Sequence, residues 1–207
     1  MRLPNSAHES RPWRIREIVP DFTLEDVWGL PATGGADEFP ALLRLAGSLD
    51  PAQAESAPTR FLWNLRDRLG EWFDLGRITV PADRAAGATG ELAIPDSSET
   101  SLRDRLPDDL RDTANGMDFG SLPFVPLYRT DVEFAAEISN RTVHGVMHLA
   151  WADQGAGRYQ GQMAVYVKPR GAFGKGYMQL IKPFRYLIVY PALTRQVERA
   201  WDRRDRR

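Results

Sequence analysis

From Asp131 to Lys168 apolar and polar residues alternate in three runs, DVEFAAEIS, TVHGVMHLAWAD and RYQGQMAVYVK, separated by turn-like breaks. A period of two is the mark of strands with one buried face. With a two-residue turn at Asn140 and Arg141, Ser139 faces Thr142, Ile138 faces Val143 and Phe134 faces Met147. Turning again through 153–158 brings Tyr159 opposite Trp151 and Met163 opposite Met147. The pattern predicts an antiparallel meander with a continuous apolar face, and a slip of one residue would destroy it.

The other face of this meander carries the candidate chemistry. The same register sets Glu137 beside His144 and Tyr166, and Glu133 beside His148 and Gln162. Directly opposed Cβ atoms lie about 4.5–5.5 Å apart, close enough for a carboxylate to orient an imidazole. Carboxylate, imidazole and phenol are the parts of acid–base catalysis. The same pattern also describes the solvated face of an ordinary sheet. HGVMH places two histidines four residues apart in a strand, about 13 Å of chain, which is too far for one ion. No metal site is expected.

Elsewhere the pattern predicts a loose arm over residues 1–11 and a first strand from Trp13 to Val19. A short helix opens at Thr23, with Asp26 as its capping partner, and runs to Trp28. A second helix covers Phe39–Leu49, and TRFLWNLRDRLGEWF from Thr59 forms a third with an aromatic stripe. The Gly- and Pro-rich stretch over 76–98 reads as irregular. Ser101 opens a further short helix, and FVPLYRT reads as an edge strand, because Pro126 would cost a central ladder a hydrogen bond. Tyr177, Ile181, Phe184 and Ile188 then recur at helical spacing towards Trp201. This long C-terminal helix ends in the basic tail 203–207, whose cations suit its macrodipole.

Composition narrows the classes. The chain has 207 residues, 43% of them hydrophobic, enough for one core spanning 12–202. The net charge of −1 argues against nucleic-acid binding. The absence of cysteine excludes disulfides and thiol nucleophiles. No stretch reaches the ~18 apolar residues of a membrane span. The first residues lack the apolar core of a signal peptide, so a cytoplasmic location is expected. GAFGKG lacks the spacing of a phosphate loop, and no GxGxxG unit is present.

WNLRDRLGEWF, SLRDRLPDDLR, EISNRTVHGVMHLAW, QMAVYVKPRG and YMQLIKPFRYLIVYPAL together resemble an uncharacterised bacterial domain-of-unknown-function family. Members of that family also occur fused behind short-chain-dehydrogenase-like NAD(P)-binding domains. The family is similar in turn to the START or Bet v 1-like helix-grip (SRPBCC) superfamily. The resemblance implies an α+β helix-grip fold, a curved antiparallel sheet packed on a long C-terminal helix, here with an extra helical N-terminal half. It also implies a cavity between sheet and helix for a hydrophobic small molecule, walled by Phe134, Met147, Trp151, Met163, Tyr177, Ile181 and Phe184. A second implied function is a cofactor-independent cyclase, dehydratase or isomerase of a polyketide- or terpenoid-like substrate. In that version His144 is the acid or base, Glu137 orients it, Tyr166 handles a proton, and His148 with Glu133 forms the second pair. A third is a partner module for a separate oxidoreductase, with a homodimer as the other protein–protein expectation. No cofactor is expected in any of them.

Overall fold

The computed structural model describes residues 1–48, 101–116, 124–139, 143–171 and 190–204, together with Gly174, Gly176, Met178 and Tyr186. The helix expected from Thr59, the 76–98 stretch, the turn at 140–142, and Tyr177, Ile181 and Phe184 all lie outside the described residues. So do positions 205–207 of the tail.

The meander forms as β4 (Glu133–Ser139), β5 (Val143–Gly155) and β6 (Arg158–Pro169), with β3 (Val125–Arg129) at the edge beside β4. On the far side β6 pairs with β2 (Thr23–Gly34), and β2 with the two-residue β1 (Arg2–Leu3). The order of the six antiparallel strands is β1-β2-β6-β5-β4-β3. The β5–β6 turn runs through Gly155, Ala156 and Gly157, all at positive φ, where glycine is tolerated without strain.

The register differs from the one expected. Ser139 faces His144 rather than Thr142, and Phe134 faces Leu149 rather than Met147. Across β5 and β6, Trp151 faces Gly161 and Met147 faces Val165. Both pairings are displaced by two residues. Because side chains alternate with period two, every residue stays on its expected face and only its cross-strand neighbour changes.

Three other expectations are overturned. Residues 1–11 are not a loose arm: they form β1 and the short helix α1 (Ser6–Glu9), and His8 is fully buried. Trp13–Val19 is not a strand but contains the one-turn helix α2 (Ile15–Ile18); the apolar pair Ile15 and Ile18, three apart, is buried while Arg16 and Glu17 face out. Thr23–Trp28 is not a helix but the start of β2, in which adjacent Val27 and Trp28 are buried on opposite faces. Strand pairing along both edges and burial on both faces outweigh the local capping signal.

The sheet is covered on both sides. Over its apolar face lie α3 (Phe39–Ser48) and the C-terminal helix α4 (Tyr190–Arg204), which bury Trp28, Leu30, Phe39, Leu42, Phe134, Leu149, Trp151 and Met163 with Val197 and Trp201. The indole N–H of Trp201 donates to the Thr33 carbonyl, pinning α4 to the end of β2, and that of Trp151 on β5 donates to the carbonyl of Gly35 just beyond it. Arg204 lies over the Trp201 ring and pairs with Glu38 at 2.6 Å, so part of the basic tail is packed. Over the opposite face lie α1, α2 and residues 101–116, whose Trp13, Ile15, Ile18, Leu102, Leu106 and Leu110 meet Val27, Ala135, Val146, Ala150 and Ala164. Ser101 caps the one-turn 3-10 helix Leu102–Arg105 by accepting from the Arg103 N–H.

Candidate functional site

The Glu–His face is therefore an interior, not a solvated surface. Glu133, Glu137, His144 and His148 are all buried. Glu137 stands opposite Val146 and His144 opposite Ser139, so the two are diagonal rather than direct neighbours. Their side chains still reach each other: His144 Nε2 is 2.8 Å from Glu137 Oε2. The second diagonal behaves likewise, with His148 Nε2 3.0 Å from Glu133 Oε2. Long side chains close a diagonal gap that short ones could not.

Each carboxylate also grips the element above it. Glu137 accepts the Ser101 hydroxyl and, at 3.1 Å, the Leu102 N–H, at the start of the 3-10 turn. Glu133 accepts the Arg14 N–H at 3.0 Å, at the start of α2, and the Tyr128 hydroxyl at 2.9 Å. Unpaired N–H groups at the start of a helical turn attract a carboxylate. In Glu133 and Glu137 that carboxylate comes from the sheet below rather than from the turn's own residues.

Burial works to raise the Glu133 carboxyl, but the hydrogen bond of His148, with those of the Arg14 N–H and the Tyr128 hydroxyl, prevails and holds it below the usual range. Burial lowers His148, although Glu133 opposes the shift, so the imidazole is neutral and donates through Nε2. Burial also raises the Tyr128 phenol, with Glu133 adding to the effect, and raises that of Tyr166. Neither phenol ionises in the neutral range.

Tyr166 does not stand beside His144 as expected. It faces Val146, and its ring lies 5.8 Å from that of His8. Gln162 faces Ala150 and bonds the Nδ1 of His8 at 2.7 Å. His144 packs instead against Phe22, at 5.1 Å between rings. The sequence reading missed His8, Trp13, Tyr128 and Ser101 as parts of this network. Ser101 alone had a usable signal, its position as a cap.

The expected wall residues Phe134, Met147, Trp151 and Met163 lie on the other face, beneath α3 and α4. A single cavity cannot join them to the Glu–His pairs, because the sheet itself stands between. That face has a polar group of its own: Asp26, fully buried, accepts from the Tyr190 hydroxyl at 3.0 Å. Tyr190 stacks 4.5 Å from Trp28, and Tyr186 lies 6.3 Å from the same indole. Met147 and its partner Val165 are only half-buried, although they sit on the two central strands.

Among the described residues no group of three or more His, Asp or Glu side chains could hold a metal ion. Among them, too, no helix is long and apolar enough to cross a membrane. No curated protein and no solved structure matches the chain. One family model does, over residues 18–192, a span that takes in both faces of the sheet and the start of α4. The chain thus belongs to the family described as "Protein of unknown function (DUF2867)".

Proposed function

We propose that the protein binds a hydrophobic small molecule on the apolar face of its sheet, over Met147 and Val165. The observation that carries this reading is their half-burial. Residues of central strands beneath covering helices are normally the most buried of all, and here Met147 and Val165 keep partial exposure, with Val165 paired to Asp26, the acceptor of the Tyr190 hydroxyl. Ligand sites are largely apolar with a few fixed polar groups, and the Asp26–Tyr190 pair supplies such a group. An antiparallel sheet followed by a C-terminal helix across one face supports the helix-grip reading of the architecture. Phe134, Trp151 and Met163 then serve as the packed floor of the site rather than as ligand contacts.

The acid–base reading has less support. Both Glu–His pairs are sealed by Ser101, Leu102, Arg14 and Tyr128, and they hold those elements down. Native mass spectrometry of the protein purified from its own host, repeated after mild denaturation, tests the binding reading. A released apolar molecule is the expected result. A clean apo mass with a co-purified protein would overturn it in favour of the partner-module role.

A further inference from the structure

Where α1 and the turn into α2 cross the sheet, a group of rings crowds the covered face. His8 lies 5.1 Å from His148 and 5.9 Å from Trp13, and Trp13 lies 5.8 Å from His148, all between ring centroids. One nitrogen of each imidazole is accounted for. His148 Nε2–H donates to Glu133, and His8 Nδ1–H donates to the Gln162 carbonyl oxygen. The remaining three ring nitrogens, His8 Nε2, His148 Nδ1 and Trp13 Nε1, are buried without a hydrogen-bonding partner. A buried polar atom left without a partner is costly, and three in one cluster require an explanation.

Their chemistry specifies the missing partner. With each imidazole proton on the bonded nitrogen, His8 Nε2 and His148 Nδ1 carry lone pairs. An indole N–H only donates. The set is two acceptors and one donor. A cation would satisfy the lone pairs but be repelled by the indole N–H; an anion would suit the indole and fail at both imidazoles. A water molecule, donating twice and accepting once, matches all three, and buried waters typically make about three hydrogen bonds.

We propose that His8, Trp13 and His148 enclose a site for one ordered water molecule. The water joins the sheet's network to the N-terminal segment. Tyr128, Glu133, His148, the water, His8 and Gln162 become one continuous polar chain between β3 and β6. The inference is independent of the ligand reading, which concerns the opposite face.

Diffraction from crystals grown near pH 7, on the wild type and the Trp13→Phe variant, tests it. Phe keeps a ring in place and removes only the N–H. The wild type is expected to show one density peak within about 3 Å of all three nitrogens, and the variant to lose or displace it. Long-range ¹H–¹⁵N spectra give a second readout that does not depend on crystals. They are expected to place the proton on Nδ1 of His8 and on Nε2 of His148, with cross-relaxation between the Trp13 indole proton and water. A dry cluster, a direct His8–His148 hydrogen bond, the opposite tautomers, or an anomalous signal from a metal at that point would each overturn the proposal.

Discussion

At the scale of single residues, the buried carboxylates of β4 matter most. Glu133 accepts from His148, Tyr128 and the Arg14 backbone at once, so its removal strands three donors. Breaking a buried, charge-assisted network from one side costs about 3–5 kcal/mol. Glu133→Ala is expected to lose that much in urea unfolding, and Glu133→Gln, which keeps one acceptor oxygen, distinctly less. His8 makes a second prediction. Burial first, then the neighbouring His148 imidazole, which disfavours a second proton in the pair, holds its pKa down to about 4 against an ordinary 6.5, while the Gln162 bond opposes the shift. The unfolded chain binds the extra proton between those values, so stability falls as pH drops from 6.5 to about 4, by about 3 kcal/mol in all. Glu133, held low in the fold, contributes stability above its unfolded pKa that is lost as pH falls further. Unfolding midpoints measured from pH 7 to 4 are expected to decline in wild type and to decline less steeply in His8→Leu, where buried His148, lowered in the same direction, still contributes.

Among the elements, α2 and the 3-10 turn at 102–105 are too short to stand alone and are held by side chains of the sheet. Ser101→Ala removes both the cap on Arg103 N–H and the bond to Glu137, with an expected loss of about 1–2 kcal/mol. Faster amide exchange confined to residues 101–116 would locate that loss. This is also where the sequence was least legible. The Glu–His pairing could be read from alternation alone, because a register error of two residues leaves parity intact, as Glu137 and His144 show. What lies over them could not be read. The donors at Arg14 and Leu102 are backbone N–H groups, which every non-proline residue carries, and His8 meets Gln162 across 154 positions of chain. The strand β2 was misread for a related reason: Thr23 and Asp26 look like a local cap, whereas Asp26 is spent on Tyr190, far along the chain.

For the whole molecule, the sheet divides two kinds of work. One face is a covered core, largely apolar with the two Glu–His pairs set within it, that fastens the N-terminal segment and residues 101–116. The other is apolar, covered by α3 and α4 among the described residues and only half-buried at Met147 and Val165. Half-exposed Met147 should tolerate a charge structurally while spoiling an apolar site. His144, on the sealed face, should be needed for stability but not for binding. The direct test is titration of the apolar probe 1-anilinonaphthalene-8-sulfonate into wild type, Met147→Asp and His144→Gln, under conditions where circular dichroism shows all three folded. Saturable binding to wild type and His144→Gln, weakened at least tenfold in Met147→Asp, is the predicted result. Binding that survives Met147→Asp but is lost in His144→Gln would contradict the division of the two faces and return the site to the histidines.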